Sequence, residues 1–254
     1  MAAWKDDMAG EEFTARAAAA AVRDGRVTAE ELTAAHLERI AAHEETVHAW
    51  AFIDPEHATG QARRADAARR TGRPSGPLHG LPVGVQDTFD TEDMPTGDGS
   101  VLHAGRTPSA DATVVAQLRV AGAVVMGKTA TAELASGTPG EARNPHDPGC
   151  TAGAGAGGSA AAVAAGMVPL ALGAQADGSV ILPAALCGVV GYKPTHGLIS
   201  RSGVLRQSRT LDQVGVFARN VEDAALLAEA VTSYDPADRD MLPRARPPLC
   251  RGAG

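Results

Sequence analysis

Aromatic side chains are scarce, at 3% of 254 residues. A core in this chain has to be assembled from Ala, Val, Leu and Ile. Cysteine is scarcer still. Cys150, Cys187 and Cys250 are odd in number and far apart, which argues against a disulfide framework and against a CxxC metal site. The eight histidines show no metal-ligand spacing, so neither a metal nor a cofactor is expected. Long apolar runs are missing too. The longest, Ala160 to Ala174, is broken by Gly166, Pro169 and Gly173 and falls short of the roughly 20 residues a membrane span needs. No basic stretch leads into an apolar one at the start, so no secretory signal is expected. Positive charge is in deficit. Lys and Arg number 23 against 30 Asp and Glu, a net charge of −7. Binding of nucleic acid or of an anionic membrane through bulk charge is therefore not expected. The expected setting is a reducing cytoplasm, with a small molecule as the partner.

What is present is ordinary globular material, 44% hydrophobic and 21% charged. Glu11 to Arg23 reads as an Ala-rich helix after a loose terminus. Thr28-Ala29-Glu30-Glu31 reads as a capping box, with Thr28 at the N-cap and Glu31 three residues on. Trp50 to Ile53 reads as a short strand and His57 to Arg70 as a polar helix. Leu81 to Val85 reads as a buried strand whose end delivers Gln86 and Asp87. A helix over Asp111–Val120 and a strand over Ala123–Met126 follow. Residues 137–158 read mostly as loop, Ser159 to Ala165 as a short helix and Val168 to Leu172 as another buried strand. Helices over Ile181–Cys187 and from Asn220 to about Val231 complete the pattern. This alternation predicts an α/β fold, a mixed β-sheet core flanked by helices. Residues 1–240 are expected to form one domain, and the Pro- and Arg-rich segment 241–254 a disordered tail.

Two motifs suggest chemistry. Gly153-Ala154-Gly155-Ala156-Gly157-Gly158 contains a formal G-x-G-x-x-G ahead of a helix. A dinucleotide site needs a strand immediately before the first glycine, and Asn144 to Gly149 reads as loop. Close backbone approach is the better account of the glycines. Asp177-Gly178-Ser179 lies between a buried strand and a helix, where backbone N–H groups converge and nucleophiles often sit. Ser179 or Asp177 acting only as a helix cap is the competing account.

Several separated stretches resemble the amidase signature family. They are Gly80 to Thr88, Gly127-Lys128-Thr129, Asn144 to Thr195 and Leu211 to Gly215 with Ala218-Arg219. The resemblance covers about residues 11–240 and implies the N-terminal portion of that family's fold. It also implies amide hydrolysis by a serine nucleophile, a bridging serine and a lysine base. Family members run to about twice this length. The sheet and pocket that their second half completes would leave apolar surface here, for which a homo-oligomer is the expected cover.

The resemblance aligns the nucleophile with Ser179. It aligns the lysine with Gln86, whose amide takes up no proton, and the bridging serine with Gly155, beside Ala156. A Gly-Gly pair becomes Asp177-Gly178. Asp87 is no substitute base, since consecutive strand residues face opposite ways. These departures predict a scaffold that has lost the family triad and turned to non-hydrolytic chemistry (proton transfer, cyclisation, isomerisation or elimination). In that reading a buried Asp177 is the acid or base, Ser179 and Gln86 orient the substrate, and Gly155, Ala156 and Gly178 line its site. A non-catalytic binding protein and a weak ester or amide hydrolase using Ser179 are the alternatives.

Overall fold

The computed structural model describes residues 14–73, 76–137, 139–245 and 248–251. The expected loose terminus and the residues 11–13 lie outside them. Thr14 caps α1 (Ala15–Arg23), its side chain accepting from the Ala17 N–H. The capping box forms as read. Thr28 accepts from the Glu31 N–H, and the Glu31 carboxylate accepts from the Thr28 N–H, at the head of α2 (Ala29–Val47). Both helix starts gain a second acceptor from a distant element. Asp66 takes the N–H groups of Ala29 and Glu30 at 2.9 and 3.1 Å, and Asp223 takes those of Ala15 and Arg16 at 2.7 and 3.0 Å. A carboxylate at a helix N-terminus satisfies orphan donors and complements the dipole.

After β1 (Trp50–Ile53) comes α3 (Pro55–Arg70), started by Asp54 with proline in its first turn. Then follow β2 (Pro82–Gln86), α4 (Thr113–Val120) and β3 (Val124–Thr129). Residues 143–151 form a small hairpin, β4 (Arg143–Asn144) with β5 (Asp147–Thr151), where the sequence reads as loop. Next are α5 (Gly157–Ala164), β6 (Leu170–Gln175), α6 (Ile181–Cys187), β7 (Val190–Tyr192), β8 (Gln213–Ala218) and α7 (Val221–Val231). The sequence pattern predicts neither β7 nor β8.

The main sheet is six-stranded, in the order β1-β3-β2-β6-β8-β7. Its centre is parallel, β3 with β2 and β2 with β6. Its flanks are antiparallel, with β1 beside β3 and β8 between β6 and β7. The architecture is α/β with a mixed sheet flanked by helices. The central strands β2, β3 and the first four residues of β6 are buried throughout, as strands covered on both faces must be. Apolar side chains do remain outside. Ile181, Leu182 and Leu186 on α6 are 47%, 51% and 42% exposed, an unusual concentration for a seven-residue helix. Within the segment expected to be a disordered tail, Leu249–Arg251 form a 3₁₀ turn, and the Cys250 N–H donates to Glu229 at 2.8 Å.

His36 shows how one polar group is held in this core. It lies on α2, almost wholly buried, with Nδ1 3.1 Å from the Gly166 carbonyl oxygen. Burial pulls its pKa down to about 4, against the opposing hydrogen bond. The ring is therefore neutral at pH 7 and Nδ1 carries the proton. The unfolded chain takes up a proton here below about 6.5 and the folded chain only below about 4. Stability present above pH 6.5 is lost as pH falls through that window, by about 3 kcal/mol from this residue. Urea unfolding at pH 7 and pH 4 should show a smaller loss in His36→Gln than in the wild type. An equal loss in both would exclude His36 as the cause.

Candidate active site

The parallel neighbours β2 and β6 end side by side, and ligands of open α/β sheets bind beyond such carboxyl ends. Gln86 closes β2 and is fully buried. Its Oε1 accepts from the Ala174 N–H on β6 at 2.7 Å, and its Nε2 donates to Thr131 Oγ1 at 2.8 Å. Thr131 passes the connection on, its hydroxyl donating to the Gly155 carbonyl at 3.0 Å. Gln86 is thus a brace between two strands and the glycine loop. Orientation of a substrate by Gln86 does not follow, because both ends of its amide are already bonded inside the protein.

Gly155 and Ala156 are buried, as a site-lining role at the surface would not predict. Gly155 has φ +64°, and a Cβ built there would lie 2.4 Å from Ser179 Cβ and 2.8 Å from its Oγ. The serine side chain therefore packs directly on the bare face of Gly155. The two segments are also joined through the Ala156 N–H, which donates to the Ser179 carbonyl at 3.3 Å.

Ser179 is 7% exposed, and its hydroxyl has no hydrogen-bond partner among the described residues. It does not cap α6. That task falls to Gln175, whose Oε1 accepts from the Val180 and Ile181 N–H groups at 2.9 and 3.1 Å. Asp177 does not cap it either. Its side chain is exposed and finds no hydrogen-bond partner among the described residues. The expectation of a buried Asp177 fails because the turn, with Gly178 at φ +134°, swings out past the end of β6. The N–H groups of Asp177, Gly178 and Ser179 are themselves without partners among the described residues. A free hydroxyl beside uncommitted N–H donors is the arrangement that acyl chemistry uses.

The glycine motif fits the close-approach reading. Gly158 donates its N–H to the Ala130 carbonyl at 3.2 Å, and a Cβ there would meet Ala130 backbone atoms at 2.5 and 2.6 Å and the Ala49 oxygen at 2.7 Å. The start of α5 is thus closed by protein. The strand before it, β5, belongs to the separate hairpin. Ser159 is structural as well, donating to the Leu172 carbonyl at 2.8 Å and lying 2.6 Å from Thr129 Oγ1.

Just past the end of β2, Asp87 faces Lys128, their charged atoms 3.6 Å apart. Lys128 is fully buried and donates to the Phe89 carbonyl at 2.6 Å and to Thr96 Oγ1 at 2.7 Å. Burial pulls its pKa down to about 8, with Asp87 opposing. Burial likewise raises Asp87, with Lys128 and the Gly97 and Gly99 N–H groups opposing. This pair organises the loop after β2. Sequence reasoning missed it because the strand was read as ending at Met126, whereas β3 runs on to Thr129 and takes Lys128 into the buried sheet, where lysine is rare.

Comparison with known proteins agrees with the fold and the motifs. The family model described as Amidase matches residues 31–250, and this chain belongs to that family. It is 44% identical over 246 residues to a glutamyl-tRNA(Gln) amidotransferase subunit of Acidothermus cellulolyticus, covering 94% of this chain and 49% of that protein. The corresponding subunit of Streptomyces avermitilis is 43% identical over 247 residues, covering 95% of this chain and 49% of that protein. Among solved structures, the native peptide amidase of Stenotrophomonas maltophilia superposes with a TM-score of 0.88 at 36% identity, covering 95% of this chain and 53% of that one. The chain spans about half the length of the curated relatives it matches. These names describe amide chemistry. They overturn the sequence-based expectation of non-hydrolytic chemistry with Asp177 as acid or base, and the exposure of Asp177 removes the burial on which that expectation stood.

Proposed function

We propose that this chain carries an amidase-type acyl site in which Ser179 is the nucleophile and small-molecule amides or activated esters are the substrates. The observation that carries the reading is the unbonded Ser179 hydroxyl, set on the bare face of Gly155 beside the uncommitted N–H groups of the 177–179 turn. Amide hydrolysis is the chemistry that the relatives' names support. In this reading Ser179 Oγ adds to the acyl carbon and the turn's N–H groups stabilise the oxyanion. The amine or alcohol departs with a proton, and water then cleaves the acyl-serine. Gln86 holds no basic atom, so the serine proton passes to water. General-base help is worth about 10²- to 10⁴-fold, which makes activated acyl donors the substrates of choice for a first assay. Gln86 and Thr131 act indirectly, by fixing Gly155.

A fluorophosphonate probe tests the reading. The wild type should gain one probe mass per chain, and Ser179→Ala should gain none. Hydrolysis of a p-nitrophenyl ester should fall at least tenfold in the same variant. A folded wild type that neither takes the probe nor loses activity on Ser179→Ala substitution would overturn the role of Ser179.

A further inference from the structure

The serine turn runs straight into α6. The Leu182 N–H donates to the Gly178 carbonyl at 2.9 Å, so the residues around Ser179 lead directly into the first turn of that helix. α6 is only seven residues long, and a helix of that length does not hold its shape without tertiary support. Its outer face has little support, since Ile181, Leu182 and Leu186 are exposed. Its position is therefore set by its inner face and its two ends. Gln175 holds the first end, through the Val180 and Ile181 N–H groups.

The far end is held by the small hairpin. Asn144 on β4 donates from Nδ2 to the Leu186 carbonyl at 2.7 Å, and His146 Nε2 lies 3.0 Å from the Cys187 carbonyl oxygen. A carbonyl only accepts, so Nε2 carries a proton there, and neutral and charged imidazole make the same bond. Leu186 and Cys187 are the last two residues of α6, and no donor within the helix reaches their carbonyls. The Cys187 thiol adds a longer bond to the Ala152 carbonyl, at 3.7 Å. The hairpin presents its main donor already oriented. Asn144 is buried, and its Oδ1 accepts from the His146 N–H at 3.0 Å, which fixes the amide with Nδ2 toward α6. The chain then passes back along the helix. A Cβ built on Gly153 would lie 3.0 Å from Pro183 Cα, and Gly155 meets Ser179. Residues 144–156 therefore touch α6 at its far end, at its middle and at the turn that leads into it.

We propose that the β4–β5 hairpin is a clamp on α6 and that Asn144 is a positioning residue for Ser179. Leu186, where Asn144 binds, lies about 10 Å along the helix axis from Ser179, at ~1.5 Å per residue. Asn144 therefore acts through the helix. It fixes where α6 ends, and the bonded path from α6 to the Gly178 carbonyl fixes where the serine turn sits. A misplacement of about 1 Å costs about 10²-fold in rate, so a small shift of α6 has a large chemical effect. That effect rests on the reading of Ser179 as nucleophile; the mechanical coupling does not.

Hydrogen exchange of the whole protein tests the coupling without any chemistry at Ser179. In Asn144→Ala the N–H groups of Val180, Ile181 and Leu182 should exchange at least tenfold faster, while those of α2 keep their wild-type rates. His146→Ala removes the second bond and should give a smaller rise at the same amides. If Asn144→Ala opens α2 as well, His146→Ala decides. Saturation kinetics of fluorophosphonate labelling read the chemical consequence. The maximal rate of Asn144→Ala should fall at least tenfold with the half-saturating concentration unchanged, because Asn144 acts at a distance from the probe. Asn144→Asp should be as slow at pH 8, where a carboxylate has no proton to donate, and should recover relative to the wild type at pH 5, where a carboxylic acid donates again. Asn144→Ala should show no such recovery. Faster exchange confined to residues 187–190, or unaltered exchange in both variants, would reduce the hairpin to a local cap and overturn the proposal. A wild type that takes no probe while the exchange result holds would overturn the role of Ser179 and leave the clamp standing.

Discussion

Lys128→Met should destabilise the protein by about 3–5 kcal/mol, the cost of leaving a buried charge without its partner. Lys128 is fully buried on β3 and Asp87 is 5% exposed at the end of β2. Methionine matches the length and apolar stem of lysine, so the loss is electrostatic rather than a cavity effect. The Phe89 carbonyl and Thr96 hydroxyl lose their donor, and Asp87 is left with the backbone N–H groups of Gly97 and Gly99. Typical domains hold about 5–15 kcal/mol in total, so this one change removes a large part. Urea unfolding measures it. A loss under about 1 kcal/mol, the scale of an exposed ion pair, would mean that water replaces the ammonium and that the pair does not organise the loop. Adding Asp87→Asn to Lys128→Met should recover part of the loss, because the orphan charge is then gone.

Gly155→Ser should destabilise the protein by roughly 2–5 kcal/mol. About 1–2 kcal/mol comes from a side chain in left-handed backbone, and about 1–3 kcal/mol from overpacking. The backbone sits at φ +64°, and the new Cβ would lie 2.4 Å from Ser179 Cβ. The added hydroxyl therefore does not simply slot into the position that family resemblance gives a bridging serine. Either Ser179 or the turn has to move. Gly155→Ser should accordingly lower fluorophosphonate labelling at Ser179 together with stability. Unfolding midpoints and labelling rates equal to those of the wild type would show that the turn relaxes freely. The close fit of glycine and serine would then have no bearing on the site.

Much of the fold was legible because its signals are local. The capping box at Thr28 and Glu31, Trp50–Ile53, Ile181–Cys187 and the helix capped by Asn220 all form where their residues predict. Strands β7 and β8 were not legible. Val190–Tyr192 is three residues long, and Gln213–Ala218 carries a glycine and a glutamine. β8 becomes a strand through pairing with β6 and β7, and β7 through pairing with β8, and strand propensity depends on such context. The candidate site divides in the same way. Ser179 was found from its turn and from family resemblance. The brace at Gln86 joins residues 45 and 88 positions away, separations that no local pattern reports.

By itself, the sequence determined the family, the order of most helices and the central strands, and the serine turn as the place to look. Periodicity, capping and motif spacing are properties of neighbouring residues and survive without a structure. The tertiary structure alone decided that Asp177 faces solvent while Gln175 caps α6, and that the buried Gln86 amide is bonded within the protein through both its oxygen and its nitrogen. It also decided that Lys128 is buried against Asp87 and that the Thr88 hydroxyl is enclosed without a partner among the described residues. Burial and hydrogen-bond pairing follow from which distant segments meet, and those meetings set the charge, the reach and the shape of the site.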